Sequence, residues 1–209
     1  NKFALQKELG LAEKDIPVIG LVSRLVAQKG LDLIAQIIDD LMREDIQFVI
    51  LGSGEQYYEQ LFEKIKRIYS DKTGLYIGFN SILAQRIYAG SDMFLMPSRF
   101  EPCGLGQLIS LRYGTIPIVR LTGGLADTIS DYNPTTNSGN GFGFSEYTGS
   151  ALLHAIRRAL NLYNKQPEQW RQLVKRAMEM DFSWARSAVE YLQLYQEAIT
   201  RHQALQRTA

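Results

Sequence analysis

Two cations in one short polar segment are the first residues whose types and spacing point to chemistry. Arg24 and Lys29 lie in the segment 23–30, which follows an apolar run and precedes a helical pattern. A loop between a strand end and a helix start can direct both side chains at one anion, and the N–H groups of the helix's first turn add positive potential. Arg supplies a planar fork for phosphate oxygens, and Lys supplies a mobile point charge. The pair therefore predicts a phosphate site; the alternative is two solvated surface cations.

A second group of candidate residues follows another apolar run, in the segment Arg-Phe-Glu-Pro-Cys-Gly-Leu-Gly-Gln-Leu over 99–108. Gly104 and Gly106 leave backbone amides uncovered, which permits close approach by a phosphate or a sugar hydroxyl. Glu101 can accept hydrogen bonds from sugar hydroxyls; the alternative is a carboxylate favourably placed at a helix start. Cys103 is either a small group facing the ligand or, like most lone cysteines, a buried filler.

The elements that must position these residues alternate between strands and helices. We predict strands at 17–22, 47–52, 75–78, 93–96 and 115–120, with helices at 1–13, 31–41, 55–69, 82–88, 103–113, 150–163, 167–178 and 183–201 and a surface loop at 131–143. This alternation predicts an α/β fold, a Rossmann-like parallel sheet with helices on both faces. Ligands in such folds sit beyond the carboxyl ends of the strands, which selects the loops at 23–30, 78–80 and 97–106.

Composition narrows the classes of ligand and location. The formal net charge is +1, with 23 Lys and Arg against 22 Asp and Glu, which argues against a surface that wraps a polyanion. The single cysteine excludes an internal disulfide framework and fits a reducing compartment. No apolar run approaches the ~20 residues that span a bilayer, and the opening NKFALQKELG is not a signal peptide. His154 and His202 have no partner ligands nearby in sequence, so we expect no metal site.

Four blocks of sequence, in order, carry a resemblance to a known family. They cover residues 23–32, 97–105, 112–119 and 122–128, and they resemble bacterial glycogen synthases and plant starch synthases, which are retaining glucosyltransferases of the two-domain GT-B architecture. The similarity runs from about Pro17 to the helix at Trp184. Four ordered blocks are far more specific than a lone glycine motif. The resemblance implies that this chain is the C-terminal half of a GT-B fold, the half that binds the nucleotide sugar.

The resemblance also implies a role for each matching position. Arg24 and Lys29 match the pair that holds the distal phosphate and stabilises the departing nucleoside diphosphate. Glu101 matches the carboxylate that contacts the transferred glucose, and the backbone of 103–105 matches the segment that cradles that sugar. Phe79 matches a position where an aromatic residue, often Tyr, stacks on adenine. The alternative for Phe79 is a core aromatic side chain at a strand end.

This sequence departs from the family pattern in three ways. Gly106 stands where Thr is frequent, so only the backbone amide can serve there, and Phe79 keeps a stacking face without the phenol. The family's N-terminal domain, with its lysine-containing glycine loop and its acceptor-site and catalytic residues, has no counterpart here. Because Asn1 is not an initiator methionine, we expect an excised single domain over 1–209. We expect its closing helix, 183–209, to contact the absent domain in the whole enzyme through the apolar stripe Trp184, Ala188, Leu192, Tyr195 and Ile199.

The whole enzyme is expected to transfer glucose from ADP-glucose, with retention, to the 4-hydroxyl of an α-1,4-glucan. We expect no cofactor or metal, no nucleic-acid or membrane partner, and a location in a bacterial cytoplasm or a plastid stroma. ADP-glucose and UDP-glucose stay open, since Phe79 can stack on either base, and the isolated chain is expected to be inactive. One alternative is another GT-B transferase, although those commonly carry a second Glu where this chain has Ile109. The other is a non-catalytic nucleotide-binding module.

Overall fold

A six-stranded parallel sheet is the centre of the computed structural model. The structure describes residues 1–208, apart from the side chains at 204, 205, 207 and 208. The strands within that range are β1 (Val18–Val22), β2 (Gln47–Gly52), β3 (Thr73–Ile77), β4 (Met93–Met96), β5 (Ile116–Arg120) and β6 (Phe142–Phe144). Their order across the sheet is β3-β2-β1-β4-β5-β6, the doubly wound order in which ligands bind where the strand order reverses.

Nine α-helices are described in residues 1–208. They are α1 (Lys2–Glu8), α2 (Leu31–Arg43), α3 (Gln56–Ile68), α4 (Ser81–Gly90), α5 (Gly106–Tyr113), α6 (Gly124–Thr128), α7 (Gly149–Lys165), α8 (Pro167–Glu179) and α9 (Trp184–Thr208). A short 3-10 turn, Ala27–Lys29, precedes α2. The predicted α/β fold with a Rossmann-like parallel sheet is confirmed.

The apolar patterns explain why these segments form these elements. Every residue of β2 is buried and almost every residue is apolar, which is typical of a parallel strand covered on both faces. In α2 the apolar residues recur at helical spacing, which predicts one inward face, and the structure confirms it, since all five are buried: Leu31, Ile34, Ile37, Ile38 and Leu41. Each such side chain contributes about 1.5–3 kcal/mol when fully buried. The sheet and α2 are therefore well packed, and they support the loops that follow the strands.

The helical spacing of Leu61, Ile65 and Ile68 predicts that these residues form the inward face of α3, and this is only partly right. Ile65 is buried, but Leu61 is half-buried and Ile68 is 57% exposed. The buried face is instead formed by Tyr58, Phe62 and Ile65. At 3.6 residues per turn, positions 61 and 68 lie about a quarter turn away from the centre of that face. The aromatic residues of this helix, and not only its aliphatic ones, set its orientation.

Other elements also differ from the prediction: the helix predicted over 1–13 ends at Glu8, and α6 was not predicted. The helix predicted from Cys103 begins at Gly106, because Gly104 takes a left-handed conformation (φ 76°) that a helix does not continue through. Part of the loop predicted at 131–143 forms β6, which pairs in parallel with Ile118–Arg120. A three-residue strand after a segment rich in Asn, Thr and Gly leaves too short a pattern to recognise.

The described chain divides into two units, residues 1–178 and a second unit that begins at Glu179. In the second unit, the stripe residues Trp184, Leu192, Tyr195 and Ile199 are exposed, Trp184 at 84%. The final residue of the predicted domain, Ala209, lies outside the described residues. No helix in the described part of the chain combines the length and apolar character needed to cross a membrane.

Candidate functional site

Five loops lie together at one edge of the sheet, because all the strands are parallel and end on the same side. They are the β1–α2 loop (residues 23–30), the β2–α3 loop (53–55), the β3–α4 loop (78–80), the β4–α5 loop (97–105) and the β5–α6 loop (121–123). All the residues predicted to act on a ligand lie on these loops, except Gly106, which begins α5. The fold therefore collects them from distant parts of the sequence at one edge.

The β1–α2 loop rests directly on the backbone at the end of β2. The amide of Leu25 donates to the carbonyl of Ser53 at 2.9 Å. A Cβ at Gly52 would lie 2.1 Å from the Ser23 carbonyl oxygen, so only glycine permits this approach. Gly52 therefore allows the β1–α2 loop to lie directly against the end of β2.

The same loop is joined on its other side to the β4–α5 loop. The Arg99 amide donates to the Gln28 carbonyl at 2.9 Å, and the Gln28 side-chain amide donates to the Phe100 carbonyl at 3.0 Å. A Cβ at Gly30, which has a φ of 70°, would lie 1.9 Å from the Pro97 carbonyl oxygen. The two loops are therefore in direct backbone contact.

An ion pair connects these loops at the predicted catalytic residues. Lys29 Nζ lies 2.6 Å from Glu101 Oε2, and the Ser98 hydroxyl donates to the same oxygen at 3.1 Å. The Lys29 and Glu101 side chains are only 18% and 9% exposed. Charge-assisted hydrogen bonds of this length are among the stronger ones in proteins. The structure thus brings Lys29 and Glu101 together although 72 positions separate them.

The β5–α6 loop fixes the backbone that carries Glu101. A Cβ at Gly123 would lie 2.2 Å from the Glu101 carbonyl oxygen, and one at Gly124 would lie 2.0 Å from the Cys103 carbonyl oxygen. The Gly124 amide also donates to the Glu101 carbonyl at 3.0 Å. The two glycines of the sequence block 122–128 are therefore needed for packing, since they let the β5–α6 loop lie against the Glu101 backbone.

A cavity of about 310 Å³ opens beyond the ends of β1, β2 and β3. Arg24 and Phe79 line it, together with Ser23, Ser53 and Asn80. The Phe79 ring is 91% exposed, which rules out the alternative that it is a core aromatic. The cavity therefore offers an aromatic face and a guanidinium to a ligand.

Asn80 explains why Phe79 is placed there. Its side chain accepts a hydrogen bond from the Leu83 amide at 2.9 Å and so caps the start of α4. The cap ends the β3–α4 loop and leaves Phe79 projecting just before the helix. Because of this cap, the backbone of Phe79 is held in place, although its ring makes little contact with the protein.

Arg24 and Lys29 share a loop but have different partners in this structure. The Arg24 guanidinium is exposed and makes one long contact, 3.5 Å to Gln28 Oε1. Lys29 is directed at Glu101. The predicted convergence of both cations on one anion therefore requires Lys29 to be shared between Glu101 and the ligand. An ammonium has three donors, so one lysine can serve both.

The segment predicted to cradle the sugar is open to the outside. Cys103 is exposed and Leu105 is 66% exposed, so the interpretation of Cys103 as a buried filler is wrong. Gly104 turns the backbone with a φ of 76° just before α5, whose first-turn amides face this loop. Gly106 begins that helix, and a Cβ there would lie 3.1 Å from the Phe94 ring. A larger residue at 106 would require the neighbouring ring to shift.

Sequence reasoning missed Gln107, which supports this segment from below. The residue is fully buried, and its side-chain amide donates to the Cys103 and Gly104 carbonyls at 3.2 and 3.0 Å. With these carbonyls held inward, the backbone of the segment keeps one orientation. The only signal in the sequence was a glutamine at a position where the helical pattern expects burial.

A second missed group supports the β4–α5 loop from its outer side. The Tyr147 hydroxyl donates to Asp32 Oδ1 at 2.5 Å, and the guanidinium carbons of Arg99 and Arg120 lie 4.8 and 5.4 Å from its ring centroid. Cations over an aromatic face are attracted by the ring quadrupole. Burial, followed by the hydrogen bond to Asp32, raises the pKa of Tyr147, so the hydroxyl keeps its proton at neutral pH. Tyr147 thereby joins α2, the β4–α5 loop and the end of β5.

The described residues contain no group of three or more His, Cys, Asp or Glu side chains that could hold a metal ion. The charged side chains on the five loops are Arg24, Lys29, Glu55, Arg99 and Glu101, and the first-turn amides of α5 face the β4–α5 loop. This arrangement can bind an anion beside a group that accepts hydrogen bonds from hydroxyls. At the other end of the site, the exposed Phe79 ring offers an aromatic face on which a flat ring can stack.

Comparison with known proteins places this geometry in context. Residues 2–177 match the family model described as "Glycosyl transferases group 1". The chain is 66% identical to the glycogen synthase of Desulforudis audaxviator (strain MP104C), over 96% of the chain and 40% of that protein. It is 58% identical to the glycogen synthase of Moorella thermoacetica, over 98% of the chain and 42% of that protein. The chain therefore spans about two-fifths of the length of these relatives.

A solved structure is similar over the same extent. It is the catalytic domain of starch synthase IV from Arabidopsis thaliana, bound to ADP and acarbose. The TM-score is 0.86 and the sequence identity 42%, over 95% of this chain and 42% of that one.

Proposed function

This chain belongs to the group 1 glycosyltransferases, and we propose that it is the donor-binding domain of a glycogen or starch synthase. One observation carries the proposal. A single edge of the sheet holds the cavity with Arg24 and the exposed Phe79 ring, and also the largely buried Lys29–Glu101 pair. In this proposal the cavity binds the nucleotide. The Lys29–Glu101 pair then lies on the side toward which a sugar attached to the diphosphate would extend.

The donor is proposed to lie along the carboxyl edge of the sheet. Its base stacks on Phe79, and its distal phosphate contacts Arg24 and Lys29. The glucosyl unit lies over Glu101 and the backbone amides of 103–106. The starch synthase IV relative is bound to ADP and acarbose, which supports a nucleoside diphosphate and a glucan as the two ligands of the whole enzyme. On this basis we propose ADP-glucose as donor and an α-1,4-glucan as acceptor.

The chemistry proposed for the whole enzyme is transfer of glucose to a 4-hydroxyl with retention. The difficult step is departure of the diphosphate, as negative charge develops on its oxygens. Arg24, Lys29 and the first-turn amides of α5 stabilise that charge, and we assign the work to them rather than to a divalent metal. Removal of one such preorganised donor typically raises the barrier by about 2.7–4 kcal/mol.

The α9 helix is proposed to contact a further domain of the whole enzyme. Its apolar stripe is exposed over Trp184, Leu192, Tyr195 and Ile199. Exposed apolar area of this extent is typical of an interaction surface. The two glycogen synthases reported above come from bacteria and are more similar in sequence than the plant starch synthase, which favours a bacterial cytoplasm over a plastid stroma as the proposed location. We propose neither nucleic acid nor membrane as a partner.

We predict that the 209-residue chain alone binds ADP weakly and transfers no glucose. Binding is expected because Arg24, Lys29 and Phe79 all lie on this chain. Transfer is not expected, because nothing among these loops aligns an acceptor hydroxyl, and such alignment supplies much of the rate of a two-substrate reaction. Calorimetric titration with ADP and incorporation of labelled glucose into glycogen are the two measurements.

The two results together separate the candidate functions. Robust transfer by the chain alone would overturn the assignment as a donor-binding domain only. Absence of ADP binding at millimolar concentration would overturn the assignment of the cavity. ADP binding without transfer, together with transfer once the separate N-terminal half of a relative is added, would exclude a purely regulatory nucleotide-binding module.

Phe79→Ala is predicted to lower ADP affinity by ~1–3 kcal/mol, since stacking of a base on an aromatic ring contributes about that much. Phe79→Tyr keeps the ring and is predicted to be nearly neutral. Because Phe79 is 91% exposed, neither change should lower the melting temperature. Equal ADP affinity in Phe79→Ala and wild type, measured by calorimetry, would contradict stacking.

A further inference from the structure

Gln28 is the one residue of the β1–α2 loop whose main chain and side chain both reach the β4–α5 loop in the described structure. Its carbonyl accepts from the Arg99 amide at 2.9 Å, and its side-chain amide donates to the Phe100 carbonyl at 3.0 Å. The remaining polar atom, Oε1, faces the Arg24 guanidinium at 3.5 Å. The side chain thus lies between a fixed carbonyl and a cation that makes no other side-chain contact in the described residues.

The chemistry of the amide suits this position. The Phe100 carbonyl requires a donor and the Arg24 guanidinium requires an acceptor, and a glutamine provides both from one planar group. A lysine or arginine would repel Arg24, and a glutamate would repel the Phe100 carbonyl. The Gln28 main chain is held as well, because its carbonyl accepts from the Arg99 amide, which lies next to Phe100 on the β4–α5 loop.

Arg24 needs such support because its side chain is exposed and long. An arginine side chain without a neighbouring contact loses much of its rotamer freedom when an anion orders it, and this loss weakens binding. A neighbour that already restricts the guanidinium lowers that cost when an anion binds. The same logic applies to any site in which a second residue holds a binding side chain in place.

We propose that Gln28 is a positioning residue for Arg24: anchored on the Phe100 carbonyl, it holds the guanidinium ready for the diphosphate of the nucleotide. This inference rests on the proposed function, because it takes the anion bound by Arg24 to be the diphosphate of ADP. Gln28 itself need not touch the ligand. Its effect should therefore depend on the presence of Arg24 and of the phosphates.

The experiment titrates ADP and adenosine into wild type, Gln28→Met and Gln60→Met. Methionine keeps the length of glutamine and removes both polar functions, and Gln60 is an exposed glutamine of α3. Gln28→Met is expected to weaken ADP binding about five- to tenfold, because ADP would then have to order an unrestricted Arg24 side chain. Adenosine binding should change less than about twofold, since adenosine has no phosphate. Gln60→Met should leave both affinities unchanged.

A double-mutant cycle with Arg24→Ala tests whether Gln28 acts through that residue. In the Arg24→Ala background, Gln28→Met is expected to change ADP affinity by less than about twofold. A full five- to tenfold loss in that background, equal losses for ADP and adenosine, or no loss in the single variant would each overturn the inference. Failure of wild type to bind ADP would instead overturn the proposed function, and the inference with it.

Discussion

Gly30→Ala is expected to lower the free energy of unfolding by about 2–5 kcal/mol. Two costs combine. The left-handed backbone (φ 70°) costs an alanine roughly 1–2 kcal/mol. The new Cβ would also lie 1.9 Å from the Pro97 carbonyl oxygen, and overpacking of that kind costs typically about 1–3 kcal/mol. The measurement is urea denaturation followed by circular dichroism.

Gly10→Ala provides a matched control for this prediction. Gly10 has almost the same backbone angle (φ 67°), but a Cβ there meets nothing within 4 Å. Gly10→Ala should therefore show the backbone cost alone. If the two variants were equally stable, contact between the β1–α2 and β4–α5 loops would not be the reason for glycine at position 30.

Lys29→Met is expected to lower the free energy of unfolding by about 3 kcal/mol, the lower end of the range for breaking a buried ion pair. The Glu101 carboxylate, 9% exposed, would lose its cation and keep only the Ser98 hydroxyl. ADP affinity should fall as well, because the charge proposed to meet the phosphate is removed. Chemical denaturation and calorimetric titration measure the two effects.

A second substitution separates these effects. Glu101→Gln in the Lys29→Met background removes the unpaired charge, so it should restore most of the stability but none of the ADP affinity. Lys64→Met, at an exposed position of α3, serves as the control and should alter neither quantity. If Lys29→Met were as stable as the Lys64→Met control, the ion pair would have no structural importance.

The central part of the fold could be predicted from the sequence because its signals are local. The buried runs at 18–22 and 47–52 and the periodic face of α2 each lie within one element. The similarity to glycogen and starch synthases confirms the resemblance inferred from four sequence blocks. β6 escaped prediction, since a three-residue strand exists only by pairing with β5.

The predicted site residues were recognised by type, but their mutual geometry was not predictable. Nothing local indicates that Lys29 pairs with Glu101, because the contact requires β1 and β4 to be neighbours in the sheet. Gln107 and Tyr147 were missed for the same reason, since each acts on a loop from a different element. The roles of Arg24, Lys29, Glu101, Phe79 and 103–106 toward a ligand stay predictions for the experiments above.

The strand order has a consequence for how such a domain can change in evolution. Base contacts would come from the half of the sheet formed by β1, β2 and β3, whereas Glu101 and the glycines that hold it follow β4 and β5. Under the proposed function, substitutions at Phe79 or Asn80 would therefore change nucleotide affinity while the β4–α5 loop keeps its packing. On the same proposal, a lineage would be able to exchange one activated sugar carrier for another and retain the same hexose chemistry.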